Sequence, residues 1–228
     1  MSGIQSTSGP GFFTSSIGKK YVVGLMAIGI TLFALTHMLG NMLLFVSPKA
    51  YNIYSHTLIS NPAIVAIELV LLAIFLVHVA FTIWTTIENK AARGNRKFLT
   101  TKGAKSVSWS STTMFYHGVV IFFFVAWHLK TFKYGTNYDV TYNGVLMRDI
   151  HRLLVEVFQS PFYVWSYVFC VVFLGYHLNH GVQSVFQTLG FNHPKYSPAI
   201  RKLGVAYAVV VAVGFILQPL YVYFFLKQ

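Results

Sequence analysis

The segment Gly175-Tyr176-His177-Leu178-Asn179-His180-Gly181 sets two imidazoles inside an apolar run from Phe162 to Phe186. Ionisable side chains at membrane depth are costly, so each one there is a functional-site hypothesis. Three further apolar runs carry His37, His78, and the pair His117 and His128. Neutral imidazole is the commonest protein metal ligand and also a proton carrier near neutral pH. The spacing of these residues decides between those chemistries.

The elements that must position them are five apolar stretches, each long enough for one membrane-spanning helix of about 20 residues. They run roughly over Tyr21–Val46, Pro62–Ile87, Thr112–Phe132, Pro161–Phe186 and Gly204–Leu226. Antiparallel spans convert sequence position into depth at about 1.5 Å per residue. His37 and His128 each lie about 24 Å into outward-running spans, which puts them at one level. His78 and His177 each fall about 22 Å into inward-running spans, at a second level near the other side. Each pair is drawn from two different helices. That is the geometry needed to set one axial imidazole on each face of a porphyrin, twice.

Zinc is the competing metal, but it takes four ligands close together, usually with cysteine or carboxylate among them. Pairs of two suit six-coordinate haem iron. Gly40 and Gly181 share the ligand face of His37 and His177 and leave room there for a flat ring. His117 precedes His128 by about three helical turns and so points the same way at the inner level. His117 and His180 are candidates for contact with the inner porphyrin or its propionates, against a bland reading in which each satisfies a neighbouring helix.

Composition supports the membrane setting. Of 228 residues, 55% are hydrophobic and 10% charged, against about 25% charged in soluble domains. The formal charge of +12 does not indicate nucleic acid, because its placement follows the spans. Lys19, Lys20, Lys90, Arg93, Arg96, Lys97, Lys102, Lys105, Lys195, Arg201 and Lys202 all share one side. The remaining basic residues lie on the other side and the C-terminus, together with Asp139, Asp149 and Glu156. By the positive-inside rule the N-terminus is cytoplasmic, and Trp84, Trp109, Trp127 and Trp165 fall near span ends as an aromatic belt does. Cys170 stands alone, so the chain forms no internal disulfide, holds no iron–sulfur cluster by itself and has no covalent haem motif. The expected fold is therefore an all-α membrane protein, one domain over residues 1–228, with five transmembrane helices in a bundle. A short amphipathic helix over Ile150–Phe158, on the surface between the third and fourth spans, follows from Ile150, Leu153, Leu154 and Val157 at helical spacing. His193 reads as a solvated loop residue, span five as packing, and Gln218-Pro219 as a kink or helix end.

The assembled residues resemble the cytochrome b subunit of succinate:quinone oxidoreductases (succinate dehydrogenase and fumarate reductase), the single-chain, five-helix, di-haem anchor type. The likeness rests on Thr36-His37-Met38, Val77-His78-Val79, Ala126-Trp127-His128-Leu129 and Tyr176-His177-Leu178-Asn179-His180-Gly181-Val182-Gln183-Ser184-Val185-Phe186. It covers nearly the whole chain. The resemblance implies two haem b groups: an inner one on His78 and His177, and an outer one on His37 and His128. Ser16 and Lys20, with His117 and His180, would meet propionates. The family often has Asn where His180 stands and an Arg near His117, so those contacts and the inner quinone pocket differ here. The resemblance further implies a bacterial inner membrane. Flavoprotein and iron–sulfur partner subunits carrying FAD and iron–sulfur clusters would sit on the cytoplasmic face, with a higher oligomer of the complex as one option, and the electron acceptor would be a quinone, commonly menaquinone. The quinone is expected at the outer end near Glu68, His56 and His151, with the Glu68 carboxylate exchanging protons with quinone oxygens.

Three other readings stay open on residues alone. One is a di-haem cytochrome b of another membrane oxidoreductase, of hydrogenase or formate dehydrogenase type. Another is a transporter or channel whose histidines relay protons without haem. The third is a structural anchor with degenerate haem sites.

Overall fold

The structure is a computed structural model that describes residues 11–93 and 109–226. Arg96, Lys97, Lys102 and Lys105 and the side chains of Arg93 and Trp109 lie outside the described residues.

Seven α-helices account for most of the described chain: α1 (Ser16–Asn41), α2 (Pro48–Ile59), α3 (Ile64–Arg93), α4 (Trp109–His128), α5 (Ile150–Phe158), α6 (Pro161–Thr188) and α7 (Ser197–Phe225). Five segments are long and apolar enough to cross a membrane: Ser16–Phe45, Ile64–Ala92, Thr113–Lys133, Pro161–Thr188 and Ser197–Phe225. The first and last begin earlier than hydropathy suggests. Ser15 accepts a hydrogen bond from the Gly18 N–H at 3.0 Å and so caps α1 ahead of Lys19. Pro198 in the first turn of α7 starts that helix ahead of Arg201 and Lys202. Helix α7 also continues through Pro219 to Phe225, with Gln218 Nε2 donating to the Gly214 carbonyl at 3.1 Å.

Neighbouring spans alternate in direction. Helix α1 runs against α3, with Lys19 bonded to Glu88 near one end and Gly29 beside Ile74 at mid-span. Helix α4 runs against α6, with Phe124 on Tyr167 and His117 on Phe173. Packing is closest between α6 and α7, then between α1 and α3, α4 and α6, and α1 and α6. Four spans thus form a ring in the order α3, α1, α6, α4, and α7 covers the outside of α6 and α1.

Lys19 is 2% exposed. Its Nζ lies 2.5 and 2.6 Å from the two Glu88 carboxylate oxygens and 4.4 Å from the Trp84 ring centroid. A buried ammonium needs such a counter-charge. Lys20, the next residue, is exposed.

The opposite end carries a second layer that hydropathy does not announce. Residues 47–61, between the first two apolar stretches, contain α2, capped by Ser47 through the Ala50 N–H at 3.1 Å and opened by Pro48. Residues 139–148 form an antiparallel hairpin, β1 (Asp139–Tyr142) and β2 (Val145–Arg148). Its turn is Asn143-Gly144 with φ of 53° and 78°, which only such residues adopt without strain. Helix α5 is present, capped by Asp149 through the Arg152 N–H at 2.9 Å. Instead of lying open on the surface, it buries Leu153, Leu154, Val155 and Phe158 against Leu44, Tyr51, Val164, Tyr167 and Val222. Asn52, fully buried, joins α2 to α5 by donating to Asp149 Oδ1 at 2.8 Å and accepting from the His151 N–H at 3.0 Å.

Candidate functional site

Two imidazole pairs meet inside the ring of spans. His37 on α1 and His128 on α4 have ring centroids 5.8 Å apart, their planes at 86°. His78 on α3 and His177 on α6 have centroids 6.3 Å apart, their planes at 72°. In the ring order α3, α1, α6, α4, both pairs join diagonally opposite helices, so both lie across the bundle interior. Straight helices with histidines at matched depth lead to this arrangement, since i, i+3 and i+4 positions fix which face each imidazole shares.

The pairs can be tested against an iron held between them. Metal–imidazole bonds are about 2 Å long, so a metal bridging two rings sets their centroids about 6 Å apart. Both pairs match that separation. Among the described residues no hydrogen bond engages Nε2 of any of the four, and Nδ1 of His128 and of His177 is buried without a partner. His78 Nδ1 lies 3.4 Å from the Val23 carbonyl; a proton shared there leaves the Nε2 lone pair for a metal. Among the described residues no three His, Cys, Asp or Glu side chains gather as a metal cluster, whereas a porphyrin iron needs only two from the protein. The residues present fit bis-imidazole haem ligation.

The surroundings of the outer pair are aromatic. Phe33 stacks on His37 at 5.2 Å, Phe215 approaches it at 5.9 Å, and Phe124, Phe132 and Tyr167 surround His128. Asn41, one turn after His37, donates to the His37 carbonyl at 2.7 Å, lies 3.5 Å from its Nδ1 and accepts from the Tyr51 hydroxyl at 2.6 Å. Gly40 does not leave an open space for a flat ring: a Cβ there would fall 2.5 Å from the Tyr54 hydroxyl, so that face is filled by α2. Gly118, which the sequence did not single out, is the glycine facing a ligand candidate, with room for a Cβ 3.8 Å from His177 Cε1.

His117 is fully buried on α4 and packs on Phe173 at 5.3 Å and Tyr176 at 5.9 Å. His180 is half-buried, one turn beyond His177. Ser16 and Lys20 are both exposed in the first turn of α1, while Lys19 turns inward to Glu88. His193 is exposed, its Nδ1 accepting from the Lys195 N–H at 3.2 Å.

Glu68, His56 and His151 have separate neighbours instead of forming one cluster. Glu68 is exposed on α3 and paired with Lys133. His151 sits on the Tyr51 ring at 6.3 Å; burial holds its imidazole below the ordinary value, opposed in part by Asp149. His56 lines a pocket of about 250 Å³ with Ser55, Ile59, Asp139, Leu146, Met147 and Arg148. Arg148 there donates to the carbonyls of Lys133, Gly135 and Thr136 at 3.2 to 3.3 Å, and burial lowers its guanidinium below the usual range. Lys133 reaches Glu68 because α4 ends at His128 in a π-helical turn, Leu129–Lys133, a distortion frequent at functional sites. Neither Lys133 nor Arg148 was singled out from sequence. Nothing in a run of residues announces a π turn.

Family models, curated proteins and solved structures were compared with the chain, and none matches it.

Proposed function

We propose that the chain is a di-haem cytochrome b, the membrane-anchor subunit of a succinate:quinone oxidoreductase, passing electrons from an iron–sulfur partner to a quinone. The observation that carries the reading is the meeting of His37 with His128 and of His78 with His177, at 5.8 and 6.3 Å, across the diagonals of one helix ring. Bound at those pairs, haem supplies one-electron transfer at potentials set by its axial ligands and burial. The chain's own part is to hold four neutral imidazoles, keep water from them with Phe33, Phe215, Phe124 and Phe132, and stack two levels across the membrane. The motif likeness around His37, His78, His128 and His177 favours this complex over other cytochrome b enzymes. On this reading the flavoprotein and iron–sulfur subunits dock on the cytoplasmic side, in a bacterial inner membrane. The quinone belongs at the opposite side, where His56, Ser55, Asp139 and Arg148 offer donors and acceptors beside an apolar floor.

The test is a dithionite-reduced minus oxidised visible spectrum of the purified chain, with haem counted per polypeptide. Two haems are expected, falling to one in His128→Ala and to one in His177→Ala. A chain without Soret absorbance overturns the reading in favour of a histidine proton relay.

A further inference from the structure

Each imidazole pair is completed only when its two diagonal helices are in place, so a group held between them enters a bundle that is largely assembled. This inference rests on the haem reading. The route should cross the contact whose opening disturbs least packing. Three sides of the ring are closely packed: α1 on α3, α1 on α6 and α4 on α6. The fourth, α3 against α4, is not. There the two helices are bridged by side chains at three levels. Glu68 pairs with Lys133 at one end, Phe75 stacks on Phe122 at 6.2 Å with planes 7° apart, and Lys90 Nζ lies 5.1 Å from the Phe115 ring centroid at the other end.

Helix α3 is also the span with least to lose by moving. None of its most apolar stretch is buried, whereas a third of that in α7 is. Among the described residues, α3 is otherwise held by its α1 face, which includes the Lys19–Glu88 pair, and by the contact of His78 with His177 inside the ring. Phe75 precedes His78 by less than one turn and Phe122 precedes His128 by less than two, so their stack lies between the two imidazole levels. Parting this one stack opens the interior toward both. The bridges are two ring contacts and one partly exposed ion pair, each a weak interaction singly, while the other seams interlock along their lengths.

We infer that the α3–α4 seam is the lateral gate through which a planar tetrapyrrole reaches the two imidazole pairs from the lipid, with Phe75 and Phe122 as its leaves. The group enters edge-on between the helices, and the restored Phe75–Phe122 stack then closes the seam behind it.

The experiment uses the full chain in lipid nanodiscs, prepared without haem in a Cys170→Ser background, with haemin as the probe. Phe75→Cys with Phe122→Cys is bridged by a short thiol cross-linker that a reductant cleaves. Soret growth is expected to be at least tenfold slower in the bridged protein than in the same sample after cleavage. A control bridge on the closed α1–α3 seam, Gly29→Cys with Ile74→Cys, should leave the rate within twofold. Equal rates with and without the Phe75–Phe122 bridge overturn the gate while leaving the haem reading intact. Equal slowing by both bridges also overturns it, because rigidity alone would then be the cause. Failure of the parent chain to develop any Soret band overturns the gate and the haem reading together.

Discussion

His78 holds its Nδ1 3.4 Å from the Val23 carbonyl, an acceptor borrowed from the backbone of the neighbouring helix. Its partner across the bundle, His177, has Nδ1 buried without a hydrogen-bond partner. The second pair repeats this asymmetry with different chemistry. His128 Nδ1 is buried and unbonded, and His37 faces the Asn41 side chain. In each pair one ring has a polar neighbour on its Nδ1 edge and the other does not. Such neighbours set which nitrogen is available to a metal and how basic it is.

That difference makes the two levels separable by mutation. The Val23 carbonyl cannot be deleted, but the Tyr51–Asn41 bond can. Tyr51 fixes the Asn41 amide by donating to its oxygen at 2.6 Å, which keeps the amide nitrogen toward His37. In Tyr51→Phe the amide is free to turn its oxygen to the Nδ1 proton of a His37 bound through Nε2, making the ligand more basic. With haem held at this pair as proposed, the outer centre is expected to fall in potential by roughly 20–60 mV, the worth of about 0.5–1.5 kcal/mol in a one-electron couple. The inner centre should not move. A redox titration that resolves both centres reads this directly, and a shift of both by the same amount would assign Tyr51 a general packing role.

On the proposed reading, mutation can separate a proton-carrying role of Glu68 from a clasping role of its pair with Lys133. Glu68 is the acid that the sequence reading sets at quinone oxygens, yet it is paired with a lysine on the turn that follows His128 and does not line the His56 pocket, where Asp139 is the acid. General acid–base catalysis is worth about 100-fold or more. Glu68→Gln is therefore expected to lower quinone turnover by about that factor, with both haem spectra unchanged. Lys133→Met leaves the carboxylate in place and should lower turnover much less. Steady-state quinone reduction by the assembled complex measures both, and equal small losses in the two variants would reduce the pair to a clasp between α3 and α4.

Much of this was legible from residues because straight apolar helices translate sequence into depth. His37 and His128, like His78 and His177, meet since nothing between the span start and the histidine breaks the helix. The layer at the opposite end from the N-terminus was poorly legible. Asn143-Gly144 carries a hairpin signature, and Ser47-Pro48 a helix start, but both lie in short polar stretches where hydropathy is silent. Gly40 misled for a physical reason: a glycine records close approach without saying by what, and here the neighbour is Tyr54. Lys19 and Lys20 are equivalent as a basic stop, and only the position of Glu88 one helix away decides which of them turns inward. Lys133 was beyond reach, since α-helical spacing from His128 does not hold through a π turn.

The layer of α2 and α5 should respond to acid through His151. Its imidazole packs on Tyr51, and its backbone N–H is held by the buried Asn52. Burial lowers its proton affinity below the ordinary value of 6.5, and Asp149 offsets this only in part. The folded layer therefore binds a proton less readily than the opened one. Its contribution to stability is fully present above pH 6.5 and is lost as pH falls below that value toward the depressed folded pKa. Hydrogen exchange of the α2 and α5 amides is expected to accelerate several-fold between pH 7 and pH 5, after correction for the intrinsic pH dependence. The spans should show no matching change. His151→Gln, which cannot charge, should flatten the response. An unchanged acid response in that variant would transfer the sensitivity to another group.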